Sequence, residues 1–399
     1  MPLRPPAGFI SAFFDPLNNP NAPTIGTATA GDASASVTFT PPTNVGGSAI
    51  SSYSALSTPG GVVASATSSP ISVTGLSNGT AYTFAVWATN TYGPSAYSAA
   101  SGSVTPAAIL GLFAGGQASG SVSVNTIDRI SFSSTGNATD FGDLLAVVYS
   151  MASCASSTRG LFAGGNGNSN VIQYVTIATT GNSTDFGDLT VGRPDFAGCN
   201  SSTRGVFGGG ATGVARNVID YVTIASVGNA TDFGDLTIAR GNLAGASSPT
   251  RGVFAGGATD DPTDSYTTPR IDYITIASTG NATNFGDLTL TRFGLAGCSS
   301  STRAIFAGGN QNPGARNVID YITIASTGAA TDFGDLISAI YNLGGCSSTT
   351  RGVFGGGATG VTNVIQYVTI ATTGNAIDFG DLTQARENLT ACSSANGGL

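Results

Sequence analysis

The sequence predicts an all-β protein in which a β-sandwich is followed by a six-bladed β-propeller. Two observations predict this fold class. Glycine accounts for 57 of the 399 residues, and from about residue 112 onward one pattern of motifs recurs six times. Short alternating apolar runs separated by frequent turn residues are typical of sandwiches and propellers. With 41% hydrophobic residues, the chain is long enough to bury a core in each domain.

Charged side chains are few and mostly acidic, which restricts both partners and chemistry. All fourteen basic residues are Arg, and twenty-one Asp with the single Glu387 give a net charge of −8. We therefore expect repulsion from nucleic acid and from anionic membranes. The chain has no His, the commonest general base and metal ligand. We predict that the protein is not an enzyme and has no catalytic residues.

The N-terminus, MPLRPPAGFISAFFDP, holds one Arg and a short apolar stretch from Ala7 to Phe14. Pro5 and Pro6 precede this stretch, and no small-residue cleavage site follows it before Asp15. It therefore predicts neither a signal peptide nor a membrane span. We expect an anchoring segment at 1–20, the sandwich at 21–107 and the propeller at 108–399.

Four alternating runs between turn signals, at 36–40, 50–56, 71–76 and 81–89, predict a seven-strand sandwich. The string GLSNGTAYTFAVWATN at 75–90, followed by Gly93 and Ser95, closely resembles the fibronectin type III family. The resemblance covers the whole segment. It implies a corner tyrosine at Tyr82 and inward-facing side chains at Phe84, Val86 and Ala88. Phe39 stands where that family usually keeps a core Trp.

Trp87 is the only Trp in the chain and falls on the outward phase of the same run. An exposed indole could stack on a sugar ring or dock a partner. The alternative is that neighbouring side chains or the next domain cover it.

Two motifs define the repeat. The first places Phe before a Gly-rich end of a strand, and its copies begin at Phe113, Phe162, Phe207, Phe254, Phe306 and Phe354. The second, Phe-Gly-Asp-Leu, begins at Phe141, Phe186, Phe233, Phe285, Phe333 and Phe379. Six copies, each spanning about 50 residues, indicate a propeller of four-stranded blades.

The order of strands within each copy resembles the kelch family, because Gly-Gly ends the second strand and Asp/Gln-Tyr lies in the third. Phe285 and its equivalents replace that family's outer-strand Trp. The segment 388–394 aligns with 242–248, whereas the first copy has no preceding inner strand. We therefore expect the C-terminal strand to pair into the first blade and close the ring.

Five cysteines occupy one position of the repeat, with Ala246 in the sixth copy; they are Cys154, Cys199, Cys298, Cys346 and Cys392. We predict reduced, buried thiols on the inner strands. A metal ring and disulfides are weaker alternatives, since thiolate sites need closely spaced pairs and converging ligands.

Two charged series also recur. Arg follows a Ser/Thr turn in five copies, at Arg159, Arg204, Arg251, Arg303 and Arg351. Asp lies in every Phe-Gly-Asp motif, at Asp143, Asp188, Asp235, Asp287, Asp335 and Asp381. We expect Asp to bond turn amides and Arg to pair with carboxylates. Calcium held by Asp140 with Asp143 and their equivalents is an alternative; no other cofactor or metal is expected.

Residues that differ between copies are better candidates for recognition, since binding sites are built on loops over a rigid scaffold. The loops between the second and third strands vary most and should gather on one face. Their candidate binding residues are Asp260, Asp261, Asp264, Tyr266, Arg270, Arg216, Arg316 and Asn312.

The whole arrangement looks like structural proteins of tailed bacteriophages, such as a tail fibre or a capsid decoration protein. This resemblance implies a virion protein made in the host cytoplasm, oligomeric on the particle. Its N-terminal segment would contact other virion proteins, and its propeller would attach to a host-surface glycan or protein. One alternative is a bacterial surface adhesin or filament-forming protein. Another is a glycan-acting hydrolase that uses paired Asp residues.

Overall fold

The computed structural model describes residues 17–260 and 266–395, and the chain divides into two compact units, Met1–Ala108 and Ile109–Leu399. The regular elements of the described part are β-strands, apart from one 3₁₀ turn at Asn166–Asn168. The prediction of an all-β chain is confirmed. No helix in the described part is long and apolar enough to cross a membrane.

The first unit contains two antiparallel sheets, of order β1-β2-β5 and β4-β3-β6-β7. Its strands are β1 (Thr24–Gly31), β2 (Ser34–Thr40), β3 (Ser52–Thr58), β4 (Val63–Ala66), β5 (Ile71–Thr74), β6 (Thr83–Asn90) and β7 (Gly93–Pro94). Phe84, Val86 and Ala88 alternate into the core, as predicted. The Tyr82 hydroxyl accepts a 3.0 Å hydrogen bond from the Ser77 N–H and ties the turn back to the sheet.

Beyond the short β7 strand, serine hydroxyls complete the sheet edge. Ser95, Ser98 and Ser101 each donate the backbone N–H to a β6 carbonyl at 2.7–2.8 Å. Each hydroxyl also accepts the N–H of the same β6 residue at 2.9–3.0 Å. The β6 partners, in the same order, are Ala88, Val86 and Phe84. Contacts every third residue therefore satisfy this edge without a regular strand.

The second unit consists mainly of six four-stranded antiparallel sheets, numbered here in chain order from sheet 1. From the first strand outward, sheet 1 contains β35 (Thr390–Ser393), β8 (Leu110–Ala114), β11 (Thr126–Ser131) and β12 (Thr139–Asp143). Sheet 2 contains β13 (Ala152–Ala155), β14 (Arg159–Ala163), β15 (Val171–Thr176) and β16 (Thr184–Asp188). Sheet 3 contains β17 (Phe196–Asn200), β18 (Arg204–Gly209), β19 (Val218–Thr223) and β20 (Thr231–Asp235).

The remaining sheets repeat this order. Sheet 4 contains β21 (Ala244–Ser247), β22 (Arg251–Ala255), β23 (Arg270–Thr275) and β24 (Thr283–Asp287). Sheet 5 contains β25 (Ala296–Ser299), β26 (Arg303–Ala307), β29 (Val318–Thr323) and β30 (Thr331–Asp335). Sheet 6 contains β31 (Gly344–Ser347), β32 (Arg351–Gly355), β33 (Val364–Thr369) and β34 (Ile377–Asp381). Two short ladders, β9 (Gln117–Ala118) with β10 (Val122–Ser123) and β27 (Asn310–Gln311) with β28 (Gly314–Ala315), lie in loops.

Sheet 1 is assembled from both ends of the unit. Its first strand, β35, pairs antiparallel with β8, so that Cys392 lies opposite Leu112. This is the pairing predicted for the segment 388–394. The first strands of neighbouring sheets contact one another in a cycle that runs from sheet 1 through sheet 6 and back to sheet 1.

A circuit of backbone hydrogen bonds follows the same cycle. The residue that precedes each first strand by one or two positions has a left-handed backbone, with φ between 53° and 65°. Each of these residues donates its N–H to the carbonyl of its counterpart in the preceding sheet, at 2.6–3.0 Å. In order they are Ser150, Asp195, Asn242, Gly294, Asn342 and Asn388, and Ser150 bonds back to Asn388. Gly, Asn and Asp tolerate this conformation best.

A second circuit joins the outer strands. In every sheet the turn before the outer strand donates two N–H groups to carbonyls of the preceding sheet's outer strand. Between sheets 1 and 2, for example, Gly181 bonds Phe141 at 2.9 Å and Ser183 bonds Asp143 at 2.8 Å. The Phe-Gly-Asp motif therefore ends the outer strand, and its Asp bonds the turn amide of the next sheet through the backbone carbonyl.

The five cysteines are free and buried on the first strands, as predicted. Each sulfur packs against a glycine on the second strand of the next sheet, and a methyl group there would lie within 3.0 Å of it. The pairs are Cys154–Gly205, Cys199–Gly252, Cys298–Gly352, Cys346–Gly111 and Cys392–Gly160. The sixth interface has Ala246 in place of Cys and Ala304 in place of Gly. Burial raises the thiol pKa values, to about 12 for Cys392, and keeps these groups protonated.

We expect Ala246→Cys alone to destabilise the protein by roughly 1–3 kcal/mol, because the new sulfur would collide with the Ala304 methyl. Ala304→Gly alone should cost about 1 kcal/mol. The double variant restores the pair found in the other five interfaces, so it should be more stable than the sum of the two effects. Calorimetric melting of all four proteins measures this coupling. Additive effects would show that these positions do not share one packing site.

Candidate functional site

Four buried ion pairs hold the connections between sheets. They join Arg193 to Asp220 at 2.7 Å, Arg240 to Asp272 at 2.9 Å, Arg292 to Asp320 at 2.9 Å and Arg386 to Asp128 at 3.0 Å. Both side chains of every pair are fully buried. Each Arg precedes the first strand of its sheet, and each Asp lies on the third strand of the same sheet. Burial lowers the pKa of Arg240 to about 10, against the opposing effect of Asp272.

A threonine completes each cluster. The Thr237 hydroxyl donates to Asp272 at 2.6 Å, and Thr190, Thr289 and Thr383 make the equivalent bond. A terminal guanidinium nitrogen of Arg240 also donates to the Phe254 carbonyl at 3.1 Å. The cluster therefore ties the connection to the second and third strands together.

Sheets 2 and 6 have an uncharged version of the cluster. Sequence alignment of the repeats places Leu145, Val148 and Gln173 where sheet 4 has Thr237, Arg240 and Asp272. Sheet 6 has Ile337, Ile340 and Gln366 at the same positions. The Gln carbonyl oxygens accept the N–H groups of Leu145 and Ile337, both at 2.8 Å. The Thr, Arg and Asp of the cluster therefore occur together in four sheets and are replaced together in the other two.

The Arg series predicted to pair with carboxylates has a different role, so that prediction was wrong. These side chains lie over the Tyr rings of their own third strands, with the guanidinium carbon 4.4–4.9 Å from the ring centroid. They also donate to backbone carbonyls of the next sheet, as Arg204 does to Ile276 at 2.7 Å. They therefore make a cation–π contact within their own sheet and a hydrogen bond to the next sheet.

The Asp series of the outer strands bonds through its backbone. Five of the six Asp N–H groups donate to an Asn side chain of the next sheet at 3.0–3.1 Å. The described residues contain no group of three acidic or thiol side chains that could hold a metal ion. The calcium alternative at Asp140 and Asp143 therefore gains no support from the geometry.

We expect Arg240→Ile to cost roughly 3–5 kcal/mol of stability, because it leaves Asp272 buried without its partner. The triple variant Thr237→Ile/Arg240→Ile/Asp272→Gln copies sheet 6 and should come within about 1 kcal/mol of the wild type. Denaturant unfolding compares the two variants. A triple variant as unstable as the single one would show that the uncharged cluster does not transfer between sheets.

One face of the second unit carries the variable residues. The loops from second to third strands and the connections between sheets meet there, since Phe293 and Asn310 exchange backbone hydrogen bonds at 2.7 and 3.0 Å. Arg216 and Arg316 are half-buried, and their Nε atoms donate to Thr212 at 2.6 Å and Gln311 at 3.3 Å. We call this surface the mouth face; it surrounds the end of the cycle axis where the left-handed residues lie.

The other predicted binding residues differ in their exposure and in their position on the loops. Asp260 is exposed, and its carboxylate accepts the Ala215 N–H of the neighbouring loop at 2.7 Å. Tyr266 is 57% exposed, Asn312 is exposed, and Arg270 is half-buried at the start of β23. Asp261 and Asp264 lie outside the described residues.

Sequence reasoning missed the centre of this face. A cavity of about 130 Å³ lies on the cycle axis, lined by the six left-handed residues and the first strands beneath them. The residues one position before the left-handed ones include Tyr149, Phe293, Tyr341 and Glu387, which are half-buried and do not line the cavity. The residue types at the left-handed position could have indicated this site, because Ser, Asp, Asn and Gly are the types favoured in turns.

Asp195 is the one acidic residue among the six left-handed positions. Burial raises its carboxyl pKa, and a hydrogen bond with Ser150 partly offsets this. A raised folded-state pKa penalises the ionised form. Its contribution is therefore favourable below the unfolded pKa and is lost as pH rises toward the folded pKa.

We expect Asp195→Asn to raise the melting temperature at about pH 7, because it removes a partly buried charge and Asn already fills three equivalent positions. The gain over wild type should shrink as pH falls to about 3.5, where Asp195 is protonated. Melting curves at several pH values measure the difference. A gain independent of pH would show that backbone preference alone produces it.

Trp87 does not provide a free indole surface. It is half-buried, and its ring meets that of Tyr97 edge-on with centroids 5.2 Å apart. Tyr97 is 57% exposed, so it presents most of the aromatic surface at this place.

No protein-family model and no curated protein matches the chain. Chains of solved structures do match, among them one titled "Structure of YjhT". It aligns with a TM-score of 0.53 and 10% sequence identity over 62% of this chain and 88% of that chain. At this identity the likeness shows the fold alone.

Proposed function

We propose that the chain is a non-enzymatic binding protein, in which a fibronectin type III sandwich carries a six-bladed, kelch-like propeller. The strand orders of the first unit and the corner bond of Tyr82 support the sandwich. Six four-stranded sheets joined in a cycle support the propeller, as does the shared fold of the YjhT structure.

A binding role is favoured because the repeated charged groups are already engaged. Nine Arg residues of the repeat lie in buried ion pairs or over Tyr rings, and the buried Asp residues accept from Arg and Thr. The axial cavity of about 130 Å³ is smaller than the 300–1,000 Å³ typical of small-molecule sites. These features disfavour the glycan-hydrolase alternative.

The observation that carries this proposal is the position of the variable residues. Phe293, Tyr341 and Tyr149 differ between the blades, whereas the groups that join the blades recur. Arg316 lies beside Tyr341, because the Arg316 carbonyl accepts the Ile340 N–H at 3.1 Å. Aromatic rings with nearby Arg and Asn side chains suit a glycan or a polar protein surface.

We further propose that the protein is a structural component of a tailed-phage particle, as a tail fibre or capsid decoration. The propeller would face the host, and the segment 1–20 would contact other virion proteins. Residues 1–16 of that segment lie outside the described residues. The likeness of the domain arrangement to phage structural proteins motivates this assignment.

The test is binding of the purified chain to a glycan array and to intact bacterial cells. We expect Arg316→Ala/Tyr341→Ala to reduce binding at least tenfold, while Val227→Ala should bind normally, because Val227 is exposed in a turn at the opposite ends of the strands. All three proteins should melt alike. Absence of binding by the wild type, or equal loss in the control, would refute the proposal. Antibody labelling of purified particles by electron microscopy tests the virion assignment separately.

A further inference from the structure

One junction of the outer hydrogen-bonded circuit differs from the other five. At the regular junctions the outer-strand Asp N–H donates to an Asn, as Asp235 does to Asn281 at 3.0 Å. Between sheets 4 and 5 the corresponding residues are Asp287 and Ala329. The methyl group of Ala329 cannot accept a hydrogen bond.

The two segments remain paired at this junction. Gly328 donates its N–H to Phe285 at 2.9 Å, and Ala330 donates its N–H to Asp287 at 2.8 Å. In an antiparallel strand the N–H and C=O of one residue point to the same side. The Asp287 N–H therefore points toward sheet 5, at the place where the other junctions have an Asn oxygen. Asp287 is also exposed, whereas its five equivalents are half-buried.

A cavity of about 200 Å³ opens at the same place. Its walls include Phe285, Tyr321, Ala329 and the hydroxyl-bearing residues Thr323, Ser326, Thr327 and Thr331. No charged side chain lines the cavity. Around it, Arg303 lies over the Tyr321 ring, Arg251 donates to the Ile324 carbonyl, and Asp287 and Asp332 flank it along the chain. These opposite charges give the site no strong preference for a ligand of either sign. The site suits a neutral ligand that offers several hydroxyls to the threonines and an acceptor oxygen to the Asp287 N–H.

We propose that this junction is a binding site for one neutral pyranose sugar, whose ring oxygen or hydroxyl takes the place of the missing Asn oxygen. The site is separate from the mouth face. It deepens the proposed glycan-binding function by adding a second subsite, and it rests on that function only for its biological meaning. A single sugar on an open, hydroxyl-lined site should bind with a Kd in the millimolar range.

The chain supplies matched variants for the test. Ala329→Asn should restore the side-chain acceptor and weaken sugar binding at this junction at least tenfold. Asn281→Ala should free the Asp235 N–H and create a second site of the same kind. The full-length protein, labelled with ¹⁵N at Asp, is titrated with methyl glycosides of glucose, galactose and mannose, and amide shifts are followed. A saturable shift of the Asp287 amide in wild type is expected, absent in Ala329→Asn, with an Asp235 shift added in Asn281→Ala.

Three results would overturn the proposal. The first is that none of the glycosides shifts the Asp287 amide saturably, and the second is that Ala329→Asn binds sugar with the same affinity as the wild type. The third is that inorganic phosphate, and not sugar, saturates the site. Melting curves show whether each variant is folded. Array binding that survives Ala329→Asn but is lost in Arg316→Ala/Tyr341→Ala would leave the mouth-face proposal standing. Loss of the Asp287 shift alone therefore refutes only the second site.

Discussion

Hydrogen bonding between neighbouring sheets is the interaction on which the second unit depends. Each sheet has four short strands and could not bury both of its faces alone. The inner circuit passes through six left-handed residues, and the outer circuit joins each turn to the preceding outer strand. Both circuits return to their starting sheet, through Ser150 with Asn388 and through Gly136 with Phe379. They require the C-terminal strand to pair beside β8, because sheet 1 otherwise lacks its first strand. This continuity also leaves the first strands without exposed edges.

The sequence allowed the repeated features to be predicted more fully than the connections. Strand phase, the burial of cysteines and the pairing of the C-terminal segment follow from alignment of six copies, because each depends on local pattern alone. The ion pairs could not be predicted from the alignment of the copies. Arg251 and Arg240 recur with similar regularity, and only the path of the connection over the sheet places Arg240 beside Asp272 and Arg251 over Tyr273. The mouth-face centre was missed because its residues vary, although a left-handed backbone accounts for the types found there.

Comparison of the six copies shows which groups depend on one another. Thr, Arg and Asp occur together in four sheets, and the two sheets with apolar residues in place of Thr and Arg have Gln in place of Asp. Removing one member of a buried ion pair costs more than replacing the whole pair, so the complete replacements in sheets 2 and 6 avoid the cost of an unpaired buried charge. The same reasoning explains why Ala304 replaces glycine at the one interface where Ala246 replaces cysteine. Ala329 has no such compensation, because Asp287 is unchanged and its N–H has no Asn oxygen opposite it.

The distribution of arginine connects this architecture to the proposed binding function. Nine of the fourteen Arg residues are held by buried carboxylates or Tyr rings of the repeat. Of the other described Arg residues, Arg216, Arg270 and Arg316 belong to sheets 3, 4 and 5 at the ends of the strands that face the mouth. Tyr149 and Tyr341, together with exposed Leu145 and Ile337, lie in the connections that lead into sheets 2 and 6. The mouth face therefore carries Arg side chains at sheets 3 to 5, with Phe293 among them, and Tyr with exposed apolar side chains in the connections into sheets 2 and 6. A partner that contacts both sets must offer acceptor groups and apolar surface together, and ligands with both properties are the ones to screen.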